Sequence, residues 1–311
     1  MVRFDKIKFI APIEAIDCYE QNPIFEKTTK NGYVIRYKFS HDQLNLHIIV
    51  TPQENKFSME FTGKILQEHY PLLINKNTIK ECIERIINMG VCKLNIDKIL
   101  ELAEVCQCDI TSDINFSDES KFRTVVSSYL NSPKWVVKKY SGGFSIEKTV
   151  KTAKYRRRLA IYNKEIEMRK KANLDFLSNI DDQKEVIEYF QGKTRLELNL
   201  TSMKAIRDSL HIENTKLMTV LNSTANPIRE VFMDSVRLPK EEKVVTSLRD
   251  YERLIVLGYF NNDLSILRER ICPFFKRSTS ANKVISEYRK LIDSEQIRDF
   301  TWIYEILNQV A

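Results

Sequence analysis

Polar and apolar positions change period along the chain. Up to about residue 62 they alternate, as in half-buried strands. Residues 2–10 alternate loosely. Residues 32–39 (GYVIRYKF) and 44–50 (LNLHIIV) predict a hairpin with His41, Asp42 and Gln43 in its turn, and residues 56–62 (KFSMEFT) predict a third short strand. From residue 77 the spacing becomes three and four. Ile79, Cys82, Ile83, Ile86 and Ile87 predict a helix, opened by a Thr78–Glu81 capping box and closed by Gly90. Residues 95–106 predict a second helical stretch that runs into a strand at 105–114 (VCQCDITSDI). Three more strands are predicted at 135–140 (WVVKKY), 157–163 (RRLAIYN) and 194–200 (TRLELNL), with helix or loop over 168–190. Beyond Thr201 the spacing is helical, over 202–210 and 216–236. A linker is predicted at 236–246 around Pro239, followed by further helices. The predicted class is α+β: an antiparallel sheet with inserted helices over residues 1–210, then a helical C-terminal region over 211–311 for DNA binding or dimerisation.

Three of these strands put chemistry on one side. Alternate side chains of a strand point to opposite faces. In 105–113 one face carries Val105, Gln107, Asp109, Thr111 and Asp113, and the other is small and mostly apolar. In 157–164 Leu159 and Ile161 suit a core, while Arg158, Ala160, Tyr162 and Lys164 share the opposite face. In 194–200 three leucines face inward, and Arg195, Glu197 and Asn199 face away. If the strands are neighbours, these polar groups meet on one surface.

Charge sharpens that picture. The 311 residues carry a net +7, and 43% are hydrophobic, which suits a folded protein rather than a disordered one. Residues 133–171 alone hold 13 basic and three acidic side chains, a local +10, so the rest sums to −3. Trp135, Tyr140, Phe144, Tyr155 and Tyr162 are interleaved with these cations. Lys and Arg displace counterions from phosphates and rings stack on unpaired bases, so the segment predicts a nucleic-acid groove. Lys151, Lys154, Arg156, Arg157 and Arg158 are its densest DNA-contacting candidates. No apolar run approaches the ~18–20 residues of a membrane helix. The N-terminus is too charged for a signal peptide, and the six cysteines lack a CxxC pair, so a cytoplasmic protein with reduced thiols is expected. There is no GxxxxGK[ST] phosphate loop, so duplex opening falls to a separate helicase.

The polar faces permit metal-assisted phosphodiester cleavage by a tyrosine. Asp and Glu oxygens suit Mg²⁺ or Mn²⁺, which would offset charge on a phosphate. A phenol of ordinary pKa near 10 needs neighbouring positive charge to ionise, and Arg158, Lys164 and Arg195 are placed to supply it. Tyr155, flanked by Lys154 and Arg156, is the rival nucleophile, and His47 on its strand is a further metal-ligand candidate.

The runs CQCDITSD (106–113), RLAIYNKEIE (158–167) and TRLELNL (194–200) together resemble the rolling-circle replication initiators of phages and plasmids, which include the filamentous-phage II/X type and the plasmid trans-acting initiators. RFDKIKF (3–9) and FTGKIL (61–66) are similar to the same pattern, so the resemblance covers residues 1–210. It implies that Tyr162 is the nucleophile, with Lys164 and Arg195 in the catalytic set. It implies a metal site drawn from Asp109, Asp113, Glu167 and Glu197. It also implies a bacterial cytoplasmic nickase that leaves a phosphotyrosyl link and a free 3′ hydroxyl. The expected partners are single-stranded or hairpin origin DNA, a host helicase and polymerase, no membrane, and for the C-terminal helices an origin contact or a second copy of the chain. A mobilisation relaxase and a non-catalytic nucleic-acid-binding protein are the alternatives.

Overall fold

Period-two patterning becomes a run of hairpins in the computed structural model, which describes residues 2–132, 134–149, 157–237, 247–260, 263–297 and 301–310. The strands are β1 (Phe4–Pro12), β2 (Ile16–Asp17), β3 (Glu26–Lys30), β4 (Tyr33–His41), β5 (Leu46–Thr51), β6 (Lys56–Thr62), β7 (Lys93–Leu94), β8 (Glu104–Asn115), β9 (Trp135–Tyr140), β10 (Gly143–Lys148), β11 (Arg158–Asn163) and β12 (Lys193–Leu200). Ten of them form one antiparallel sheet in the order β3-β4-β5-β6-β1-β8-β12-β11-β10-β9, and β2 pairs with β7 apart from it. Asn45 (φ 48°) and Asn55 (φ 51°) close the β4–β5 and β5–β6 turns in the left-handed region, which asparagine tolerates better than most residues. Asn31–Gly32, both at positive φ, turn β3 into β4.

One face of the sheet is core. Ile7, Phe9, Ile48, Phe57, Met59, Phe61, Leu159, Ile161, Leu196 and Leu198 are wholly buried there. Helix Met203–Leu210 packs on β8, and helices Glu119–Ser128 and Pro227–Ser235 pack on β11. Phe122, Phe144 and Phe232 interlock in that layer, with ring centroids 6.1 and 5.6 Å from Phe122.

The opposite face is roofed at one end by a second core of Tyr70, Leu73, Met168, Phe176, Leu177, Ile180, Val186 and Phe190. The short helices Lys164–Met168, Lys171–Leu177 and Gln183–Phe190 supply most of it. The roof explains why alternation alone misassigns Arg195: a residue expected on an outward face is fully buried.

Two local expectations change. Thr78 forms no capping box. Its hydroxyl donates to the Leu73 carbonyl and accepts from Asn75 N–H, while Glu81 pairs with Arg85 and His69. Val105 belongs to the core face, because a bulge at Cys106 shifts the β1–β8 register between Lys8/Gln107 and Phe9/Val105.

Two compact units divide the chain: Met1–Arg237 with Gln309–Ala311, and Leu238–Asn308. The first runs past residue 210, because Leu217, Val220, Leu221, Ile228, Val231 and Phe232 bury their side chains within it. The second is helical and builds its own core from Leu257, Leu267, Ile285, Leu291 and Ile292. Most of the expected linker, residues 238–246, lies outside the described residues. Among the described residues no helix is long and apolar enough to cross a membrane.

Candidate active site

The three polar-faced strands are neighbours, in the order β8-β12-β11. Register places Tyr162 beside Arg195 and Arg195 beside Asp113, with Glu197 between Ala160 and Thr111, and Asn199 between Arg158 and Asp109. Asn163 then ends β11. Its side chain accepts from Ile166 N–H at 2.9 Å and caps helix Lys164–Met168. The chain therefore leaves the sheet just after Tyr162, and Lys164 is carried under the roof, where it is 2% exposed.

Tyr162 is half-buried and lines a cleft of about 200 Å³ with Tyr140, Arg158, Ile166, Lys170 and Glu197. Its hydroxyl donates to Glu197 Oε2 at 3.0 Å, and Asn199 Nδ2 donates to Glu197 Oε1 at 3.1 Å. Burial, with the charges of Asp5 and Asp109 added, raises the Glu197 carboxyl to about 7. Burial and the Glu197 charge hold the Tyr162 phenol well above 10. The cations expected to favour a phenolate are engaged elsewhere. What faces the phenol is a carboxylate poised to accept its proton.

Gly143 sits opposite Tyr162 on β10. A Cβ there would stand 2.6 Å from both the Ile161 carbonyl oxygen and Tyr162 Cβ. Gly143→Ala is expected to push β10 off β11, destabilising the fold by about 1–3 kcal/mol and displacing the phenol. Urea-midpoint and nicking measurements on the same variant check both effects.

Arg195 organises the floor beneath the cleft. Its Nε and Nη2 donate to the two oxygens of Asp113 at 2.7 and 2.8 Å, and Nη1 donates to Asp5 Oδ1 at 2.6 Å and to Tyr70 Oη at 3.0 Å. Tyr70 in turn donates to Asp5 at 2.8 Å. Lys164 Nζ reaches Tyr70 Oη at 3.0 Å and Glu167 Oε2 at 2.6 Å. Burial alone would raise Asp5, but Arg195 and Lys164 outweigh it and hold its carboxyl below the ordinary range. Removing one partner of such a network strands a buried charge. Arg195→Met is expected to cost about 3–5 kcal/mol, most of it recovered by adding Asp113→Leu. Denaturation midpoints of the two variants check this.

Asp5 and Tyr70 escape a reading of strand faces. Asp5 reaches the polar face because the β1–β8 register slips between Phe4 and Lys6, so two successive residues share one side. The signal is the adjacent charged pair Asp5–Lys6 inside an alternating strand.

The four candidate metal carboxylates are not gathered into one cage. Asp113 gives both oxygens to Arg195, and Glu167 gives its two to Lys164 and Asn173 Nδ2. Glu197 is engaged by Tyr162 and Asn199. Asp109, paired with Lys6 at 3.2 Å, keeps one buried oxygen, Oδ1, without a partner. Among the described residues no three metal-binding side chains come together. His47 instead meets Ser40 Oγ at 3.1 Å. The oxygen chemistry suits a hard cation, but the arrangement does not fit one, and no step is derived through it.

The basic segment neutralises part of its own charge. Lys138 pairs with Glu147 at 2.7 Å and Arg169 with Glu165 at 2.6 Å. Arg158 stands 3.7 Å from Glu147, with its guanidinium over the Tyr140 ring. Arg157 is half-buried next to it. Lys151, Lys154, Arg156 and the rival Tyr155 lie outside the described residues. Lys170, which composition alone does not single out, lines the cleft.

Antiparallel sheet, buried Arg–Asp floor and tyrosine cleft fall together in the middle of the chain. Residues 62–218 match the family model for the N-terminal part of the phage replication-associated protein, the gene II product. That is half of the chain, and the chain belongs to this family of rolling-circle replication initiators. Among curated proteins none matches it. The matched span holds Tyr70, Asp109, Asp113, Tyr162, Lys164, Glu167, Arg195 and Glu197, and leaves out β1–β5 with Asp5.

Proposed function

We propose that this initiator nicks single-stranded or hairpin origin DNA with Tyr162 as nucleophile and Glu197 as its base. The observation that carries the proposal is the 3.0 Å hydrogen bond from the phenol to a buried carboxylate at the wall of the cleft. A base with a pKa near 7 is matched to proton transfer at neutral pH. As Tyr162 Oη bonds to phosphorus, its proton passes to Glu197 and the bond from phosphorus to the 3′ oxygen breaks. Glu197 then returns the proton to that oxygen, leaving a 5′ phosphotyrosyl link and a 3′ hydroxyl that a host polymerase can extend. Arg158 and Lys170 line the cleft and supply positive charge for the phosphate. Lys164 and Arg195 are positioning residues: they fix the floor from which Tyr162 and Glu197 project. A host helicase would open the duplex.

The test is adduct formation. The full chain is incubated with a randomised pool of labelled single-stranded DNA, with Mg²⁺, with Mn²⁺ and with chelator. An adduct that survives denaturation and maps to Tyr162 is expected, and the chelator arm reads the cation requirement. DNA binding without any adduct would leave the non-catalytic reading standing instead.

A further inference from the structure

The β3–β4 hairpin stands outside the family match and the site. All five residues of β3 are exposed. Lys27, Lys30, Arg36 and Lys38 are all exposed, and among the described residues none has a carboxylate partner. This differs from the cations of the basic segment, several of which are paired. The register divides the four between two faces. Lys27 lies beside Tyr37, with its ammonium 5.6 Å from that ring, and Lys30 lies beside Tyr33. Arg36 and Lys38 alternate with these on the opposite face.

Exposed lysines on an edge strand can serve only to block edge-to-edge pairing. That accounts for Lys27 and Lys30 on β3. It does not account for Arg36 and Lys38, because β4 is paired on both sides. A two-stranded ribbon with free cations on both faces suits a channel with anions on both walls. The major groove of duplex DNA is such a channel, wide enough for a β-ribbon and flanked by phosphates. Six strand spacings separate β4 from β11, which is roughly 29 Å along the sheet at about 4.8 Å each. That approaches one turn of duplex, about 34 Å.

The geometry points to the β3–β4 ribbon as a second DNA contact, one that holds duplex flanking the nick site through its phosphates while Tyr162 acts on the single strand. This rests on the reading of the chain as a DNA nickase, and it is tested by binding so that the two can fail separately.

The full-length chain and a Lys27→Gln, Lys30→Gln, Arg36→Gln, Lys38→Gln variant are compared by fluorescence anisotropy. One probe is a single-stranded oligonucleotide, and the other is the same strand extended into a duplex of about two turns, long enough for the ribbon and the cleft at once. On the extended probe the variant is expected to bind at least about 10-fold more weakly at low salt. Its slope of log affinity against log salt should be shallower by about 3, at ~0.9 per phosphate contact. On the single strand the two proteins should bind alike. Equal affinity and slope on the extended probe would overturn the ribbon contact, and so would an equal loss on both probes. A wild-type chain that binds the extended probe with the expected ribbon dependence but never forms an adduct would overturn the nickase and keep the ribbon.

Discussion

Tyr162→Phe is expected to form no covalent DNA adduct and to lose nicking by at least about 10³-fold, since covalent catalysis cannot proceed without the attacking oxygen. The same variant should fold normally. The ring stays in place, and one hydrogen bond, to Glu197, is lost, worth about 1 kcal/mol. Removing the phenol also takes a partner from a carboxyl that burial already pushes toward neutrality, so Glu197 can answer by holding its proton more tightly. Tyr140→Phe is the control. Tyr140 shares the cleft, but its hydroxyl donates to the Phe144 carbonyl at 3.0 Å, and burial pushes its phenol up to about 12. That variant should nick at a rate near wild type. Persistence of the adduct in Tyr162→Phe, with the modification mapped to Tyr155, would move the nucleophile into the neighbouring run of cations.

The sheet was legible where one face meets core and the other meets polar groups. The alternation in TRLELNL places Leu196, Leu198 and Leu200 inward, and all three are fully buried. The same rule says nothing about what lies over the other face. Arg195 and Lys164 look alike in sequence to exposed strand cations, yet the roof of Tyr70, Phe176 and Phe190 seals both away. Their charges thereby become structural, and a phenolate-stabilising field becomes a buried ion-pair floor. β10 was missed because Phe144, Ser145, Ile146 and Glu147 are all buried, so no polar alternation marks the strand. β3 was missed for the opposite reason: with every residue exposed, nothing apolar marks it. Bulges are the remaining blind spot. One slipped residue at Cys106 sends Val105 inward, and another beside Asp5 delivers a carboxylate to Arg195 from 190 residues away in the chain.

Glu197→Gln separates stability from catalysis, because the two should move in opposite directions. The wild-type carboxyl is raised from an ordinary value of 4.5 to about 7. Between those values the folded chain keeps a proton that the unfolded chain releases. The stabilisation from this group is therefore complete below about 4.5, declines as pH rises, and is gone above about 7. Glutamine cannot ionise, so the variant should match wild type in acid and melt higher at pH 8, where the native chain must hold a buried charge beside Asp5 and Asp109. Activity should do the reverse. Glutamine can still accept the Tyr162 hydrogen bond but cannot take its proton, and loss of a general base costs about 10²–10⁴-fold. The wild-type single-turnover rate should climb with pH and level off above about 7, while the residual rate of the variant lacks that inflection. Melting temperatures and single-turnover rates, each measured from acid to pH 8, give both profiles. A variant that is stabilised at pH 8 yet nicks as fast as wild type would show that Glu197 carries a buried charge without serving as the base, and the proton from Tyr162 would need another acceptor.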